Sequence, residues 1–128
     1  MRSWRRERGE GEGVVTAQTI LVVEDEFLIA LDIVAALEHA GIAVAGPAST
    51  VSDALAAIER EPLRGALLDA HLGGESAGRI ADALQARGLP FAFVSGYGRE
   101  SLPPAYRNAP LVRKPFTDRD LLAAIAGF

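Results

Sequence analysis

The chain contains no cysteine, which excludes disulfides and thiolate metal sites and fits a reducing cytosol, so a cytoplasmic protein is expected. It lacks an excess of positive charge. Thirteen Lys and Arg against seventeen Asp and Glu leave a net charge of -4, so there is no basic face of the kind duplex nucleic acid requires, and direct DNA binding is not expected. No apolar run is long enough to span a membrane. The basic start, with Arg2, Arg5, Arg6 and Arg8, runs into Glu10-Gly11-Glu12-Gly13 rather than an apolar stretch, so no secretory signal is read there.

What is present is ordinary globular material. The 128 residues are 49% hydrophobic and 23% charged, enough for one core and too few for a second domain. Residues 1–17 mix Arg, Glu and Gly without hydrophobic period and read as a solvated tail, leaving 18–128 as the folded domain.

From Thr19 onward, short apolar runs alternate with helix-period segments, the pattern of βα units around a parallel sheet. The runs predict strands at Ile20–Val23, Ile42–Ala45, Gly65–Leu68, Phe91–Val94 and Leu111–Val112. Between them fall a helix from about Phe27 to Ala40 and a second with Val51, Leu55 and Ile58 on one stripe, started by Ser49 or Thr50 and ended before Pro62. Gly46-Pro47 reads as the lead into that second helix. A third helix buries Ala77, Ile80 or Ala81, and Leu84, and the last, from Thr117 or Asp118, buries Leu121, Leu122 and Ile125. In the fourth connection, Gly96 to Ala109, Pro103-Pro104 limits any helix to a turn or two and argues for a partly mobile segment.

Ligands of open parallel sheets bind beyond the carboxyl ends of the strands. Four of the five predicted strands deliver a polar residue there: Glu24-Asp25, Asp69, Ser95 and Arg113-Lys114. An Asp or Ser after a strand is commonly only a turn former or an N-cap, and a Lys before Pro a solvated loop residue. Three carboxylates, a hydroxyl and an ammonium converging on one edge call for a chemical reason. Clustered carboxylates raise one another's pKa unless a cation neutralises them, and oxygen ligands without His or Cys suit a hard, partly hydrated ion such as Mg²⁺. The lysine offers a point charge and the hydroxyl a donor for a phosphate, which together with an acceptor carboxylate are the parts phosphoryl transfer needs. Position alone does not select the acceptor.

These residues sit in segments that resemble the receiver domain of two-component response regulators over nearly all of the chain from about Thr19. ILVVEDE (20–26) is similar to the family's acidic-pair motif, ALLDAHLGG (66–74) to its phosphoacceptor motif, FVSGY (93–97) to its switch-hydroxyl motif and RKPF (113–116) to its lysine-proline motif. The resemblance implies a flavodoxin-like (βα)₅ doubly wound α/β fold with strand order 2-1-3-4-5, while Pro103-Pro104 together with the form of residues 90–97 suggests a short or mobile fourth helix. It implies Asp69 as nucleophile, Asp25 as direct Mg²⁺ ligand, Glu24 as holder of metal-bound water, and the His71 backbone carbonyl as a further ligand. Lys114 would pair with the phosphoryl oxygens, Ser95 would hydrogen-bond them, and the Lys114–Pro115 bond would be cis. PFAFVSGY (90–97) is similar to the PFxFATGY-type motif of a subgroup that often works with HWE or HisKA_2 histidine kinases, with Ser for Thr at the hydroxyl and Val for the small residue before it. Leu111 stands where the family commonly has an aromatic switch residue, and it has no ring to swing inward.

The side chains of His71 and Tyr97 are expected to flank the phosphoryl group and shape water access, and Tyr106 to pack rather than signal. The reading is a phosphoacceptor fed by a histidine kinase or histidine phosphotransferase, signalling through a changed surface read by a downstream protein. No output domain follows Phe128, so a single-domain regulator is expected, and not a turnover enzyme. An aspartyl-phosphate phosphatase is the main rival, but such enzymes carry a second acid two residues after the nucleophile, where this chain has His71. A flavin module would have a phosphate loop after the first strand, where Glu24-Asp25-Glu26 repels anions. A pseudo-receiver that only binds partners is the third.

Overall fold

Ile20, Leu21, Val22 and Val23 are all buried, which a strand achieves only when both faces of its sheet are covered. The computed structural model describes residues 18–128, and the expected tail at 1–17 lies outside the described residues. Strand β1 (Thr19–Val23) leads to α1 (Phe27–His39), β2 (Val44–Ala48), α2 (Val51–Arg60), β3 (Leu63–Asp69), a short hairpin of β4 (His71–Leu72) and β5 (Glu75–Ser76), α3 (Gly78–Ala86), β6 (Phe91–Ser95), β7 (Leu111–Arg113) and α4 (Asp118–Ala126). The five long strands form one parallel sheet in the order β2-β1-β3-β6-β7, the flavodoxin-like arrangement expected from the sequence.

Alternation along the strands sorts the core into two layers. Leu21, Val23, Ala66, Leu68 and Phe93 face α2 and α3, where Val51, Ala54, Ile58, Ile80 and Leu84 cover them. Ile20, Val22, Leu67, Ala92, Val94 and Val112 face α1 and α4, covered by Ile33, Leu37, Leu121 and Ile125. Leu55 and Leu122, expected on buried stripes, are half-buried and pack at the margins of these layers. Two helix starts are chemically fixed. Thr50 accepts from the Asp53 amide, and Thr117 and Asp120 form a reciprocal capping box.

The second strand departs from the sequence expectation. It runs over Val44–Ala48 rather than Ile42–Ala45, and Gly46-Pro47 lies inside it instead of leading to the helix. The reason is its edge position, where proline's missing N–H costs no ladder bond. Gly46 has φ +94 and the Gly46–Pro47 bond is cis, and the register against β1 shifts between Leu21 and Val23. Pairing resumes beyond the irregularity, with the Glu24 amide donating to the Ala48 carbonyl at 2.9 Å. The hairpin β4–β5 has no counterpart in the sequence reading. β3 is also longer than expected, extending to Asp69 itself, so the carboxylate stands on the last residue of a strand.

The connection between β6 and β7 holds two 3-10 turns, Arg99–Ser101 and Pro104–Tyr106, and no α-helix, as the proline pair predicts for the fourth helical segment. It is fastened at several points. The Arg99 guanidinium donates to the carbonyls of Arg107 (3.0 Å) and Ala109 (2.7 Å), and Leu102 is buried. The Tyr106 ring meets Phe91 edge-on at 5.5 Å, and its hydroxyl donates to Asp82 of α3.

A Cβ on Gly46 would lie 2.7 Å from the Ala48 nitrogen and 2.8 Å from the Val22 carbonyl oxygen, both backbone atoms that cannot yield separately. Gly46→Ala is therefore expected to lower the free energy of unfolding by roughly 2–4 kcal/mol, whereas Gly88→Ala, at φ +69 with open space around it, costs about 1 kcal/mol. Urea unfolding of both variants measures the difference.

Candidate phosphoryl-acceptor site

Each polar strand end reaches the same edge of the sheet. Glu24 and Asp25 follow β1, Asp69 ends β3, Ser95 ends β6 and Lys114 follows β7. Carboxylate oxygens of Glu24, Asp25 and Asp69 all lie within 4.8 Å of one another. Among the described residues this is the acidic group that could hold a metal ion.

Burial grades the three acids. Glu24 is 2% exposed, Asp69 half-buried and Asp25 open to solvent. Glu24 is held by the amide of Glu26, which donates to Oε2 at 3.2 Å, while Oε1 lies 3.0 Å from Lys114 Nζ in a geometry that makes no hydrogen bond. The same ammonium lies 3.8 Å from Asp69 Oδ2. Among the described residues one cation thus faces two of three crowded anions, which leaves negative charge in excess there and a buried oxygen short of a hydrogen-bond donor. Both features fit a divalent ion, and the all-oxygen donor set fits a hard one.

The crowding shows in Asp69. Burial, reinforced by Glu24 as hydrogen-bonding partner and like charge, pushes its carboxyl up from 3.8 to about 7, against the opposing pull of Lys114 and of the His71 amide. A positive ion placed among the acids would reverse that balance.

The remaining expected site residues fall around this centre. Ser95 is 2% exposed, and its Oγ accepts from the Tyr97 amide at 3.1 Å. The Lys114 amide donates to the Ser95 carbonyl at 2.8 Å, so the hydroxyl and the ammonium are set by one ladder step between β6 and β7. The Lys114–Pro115 bond is cis. The side chain of His71 is exposed, and Tyr97 is 70% exposed at the mouth of the site. Leu111 is half-buried and packs with Tyr106 against the α2/α3 layer, away from the acidic edge.

Two features were not foreseen. The Gly73 amide donates to Asp25 Oδ2 at 2.9 Å, tying the loop after Asp69 to the acid after β1. The Gly73-Gly74 pair flanked by residues able to pair was a readable hairpin signal. The other is an apolar collar on the first turns of α1, where Phe27 is 70% and Leu28 74% exposed. The unbroken apolar run FLIAL was its trace, since a helix apolar on every side must show some of that surface.

No model of a protein family matches the sequence, and no curated protein does. Solved structures do. SdrG from Sphingomonas melonis Fr1 is 38% identical, with 88% of this chain and 97% of that one covered and a TM-score of 0.77. A CheY-like response regulator receiver domain from Methanospirillum hungatei JF-1 is 30% identical over 88% of this chain and 93% of its own, at 0.75. The response regulator PhyR from Brucella abortus is 35% identical over 87% of this chain and 46% of its own length, at 0.71. A five-stranded parallel α/β fold with acids, hydroxyl and lysine gathered at its carboxyl edge is the receiver architecture. The chain belongs to the response-regulator receiver family.

Because the folded protein holds Asp69 protonated to higher pH than the unfolded chain does, this group's stabilising contribution is complete below about 3.8 and is lost as pH rises through about 7. In metal-free protein, Asp69→Asn should raise the melting temperature at pH 8 by about 4 °C or more, the shift that 1 kcal/mol gives in a domain of about 100 residues. Near pH 4 the variant and the parent should melt together. Scanning calorimetry at both pH values makes the comparison.

Proposed function

We propose that the chain is a phosphoacceptor that takes a phosphoryl group from a phosphohistidine onto Asp69 and passes the signal on through a changed protein surface. The observation that carries this reading is the single cluster in which Asp69, at a strand end, shares Lys114 with buried Glu24 while Asp25 completes the acidic group. In the transfer, an Asp69 carboxylate oxygen forms a bond to phosphorus as the P–N bond of the donor breaks. The imidazole leaves and takes up a proton. Lys114 bears on the phosphoryl oxygens as a point charge, and the Ser95 hydroxyl, whose oxygen already accepts from Tyr97, offers its proton to one of them. Asp25, Asp69 and the His71 carbonyl would hold Mg²⁺ directly and Glu24 through water. Bound there, the ion supplies neutralisation of the acids and of the charge on the transferred group. Solved structures of SdrG include a BeF3-activated conformation.

The chain acts once per phosphoryl group and loses it by hydrolysis of the acyl phosphate. It is not a turnover enzyme. His71 and Tyr97 border the route by which water reaches that bond. The donor must press against the open edge of the site, and among the described residues Phe27 and Leu28 after Asp25 and Tyr97 after Ser95 expose apolar surface suited to a helical histidine-bearing partner. The similarity of residues 90–97 to the PFxFATGY-type motif favours a kinase of the HWE or HisKA_2 kind, in the cytoplasm.

Intact-mass measurement after incubation with acetyl phosphate, and separately with a phosphorylated histidine kinase, tests the reading. Incorporation is expected with Mg²⁺, and neither without it nor in Asp69→Ala. Lys114→Ala should slow uptake by roughly 10²-fold, as removal of a charge-stabilising donor does. Label persisting in Asp69→Ala, or repeated turnover of a generic phosphate ester, would overturn the assignment. Phe27→Ser with Leu28→Ser is expected to slow transfer from the kinase about tenfold and leave acetyl phosphate uptake unchanged, consistent with apolar contacts of 1–2 kcal/mol at an interface.

A further inference from the structure

The hairpin that follows Asp69 is built on a two-residue turn. Leu72 pairs with Glu75 and His71 with Ser76, leaving Gly73 and Gly74 as the loop. Their φ values, +56 and +91, satisfy the requirement of a type I′ turn for two positive angles. Such a turn closes its hydrogen bonds between the flanking residues and leaves the amide of its first loop residue without a partner in the ladder. Here that amide points at Asp25 Oδ2, 2.9 Å away and 48 residues distant in sequence. Leu72, 3% exposed, anchors the hairpin in the α2/α3 layer, and the Ala77 amide closes its base on the Ala70 carbonyl at 3.0 Å. The donor is therefore held from below by packing and does not follow Asp25 passively.

Resting on the Mg²⁺ reading above, we infer that the Gly73 amide is a positioning group that sets which cation the site takes. A hydrogen bond to one oxygen fixes the carboxylate's rotation and engages a lone pair of Oδ2. Asp25 is then presented for ligation through a single oxygen. Mg²⁺, small, octahedral and reluctant to shed water, is satisfied by that, whereas Ca²⁺ gains from carboxylates that chelate through both oxygens. Bidentate ligation would instead ask Oδ2 to bind the ion on its remaining lone pair in the rotation that the Gly73 N–H fixes, which that bond disfavours. The turn thus selects for the smaller ion by restricting one acid, with no residue of the turn touching the metal through its side chain.

Space around Gly73 makes the idea testable. A Cβ added there meets nothing within 4 Å, so a substitution acts through backbone conformation and not through a clash. Asparagine adopts positive φ readily and keeps the turn and its amide, while β-branched valine cannot. Calorimetric titration of the full chain with Mg²⁺ alone and Ca²⁺ alone, without phosphodonor, is expected to show Gly73→Val losing Mg²⁺ affinity roughly tenfold, with the Ca²⁺ constant much less affected, so that the Mg²⁺/Ca²⁺ ratio falls. Gly73→Asn should keep both constants within about twofold, consistent with an intact hydrogen bond. An unchanged ratio in Gly73→Val, or equal losses in the Val and Asn variants, overturns the inference and leaves the phosphoacceptor reading standing. Parent protein that binds neither ion defeats the Mg²⁺ reading and this inference with it. Hydrogen exchange of metal-free protein gives an independent readout: the Gly73 amide should be protected in the parent and lose that protection in Asp25→Ala. Unaltered exchange in that variant would also overturn the inference.

Discussion

Mutual repulsion among three carboxylates is the constraint on which the rest of this domain turns. Glu24, Asp25 and Asp69 bring their oxygens within 4.8 Å, and no side chain does so unless the backbone beneath it is held rigidly. The sheet provides that rigidity. β1 and β3 lie side by side with Val23 opposite Leu68, which places the residues that follow at one height on the edge. β6 and β7 complete the arrangement from the other side, pairing Ser95 with Arg113 so that Lys114 reaches across to Glu24 and Asp69. A buried, fully covered sheet is thus the means of bringing like charges together, and the raised pKa of Asp69 reflects first its burial at that edge and then the nearness of Glu24.

Much of this was legible in the residues because it depends on patterns that repeat. Apolar runs such as Ile20–Val23 and Phe91–Val94, bounded by turn residues, read as buried strands, and a polar residue closing such a run falls on the carboxyl edge. The misread parts are those in which tertiary pairing overrides local chemistry. Gly46-Pro47 has the look of a strand's end, and in isolation would be one. The pairing of Glu24 with Ala48 carries β2 past it, a bond between residues 24 positions apart that no local signal announces. The link from Gly73 to Asp25 is hidden for the same reason. The glycine pair marks a turn, but its target is chosen by how β1 and β3 pack.

Receivers commonly use an aromatic ring at the position of Leu111, and its absence coincides with an aromatic elsewhere in the same layer. Tyr106, on the second 3-10 turn, rests edge-on against Phe91 and near Phe93 and bonds to Asp82 of α3. The hydrogen bond to Asp82, followed by burial and the charge of that carboxylate, pushes its phenol up to about 12, so the proton stays on the tyrosine across the physiological range. The β6–β7 connection is therefore fastened to α3 at one end and, through Gly96 and Tyr97, to the Ser95 hydroxyl at the other.

The division of the core into two layers has a mechanical meaning. Neighbouring residues of β1 insert into opposite layers, Ile20 and Val22 on the α1/α4 side and Leu21 and Val23 on the α2/α3 side, and β3 and β6 do likewise. Both layers are therefore packed on the same backbone, much as one keel is common to both sides of a hull. Helices on the two flanks thus touch different side chains of the same strands, and each flank rests on the sheet whose edge carries Glu24 and Asp69.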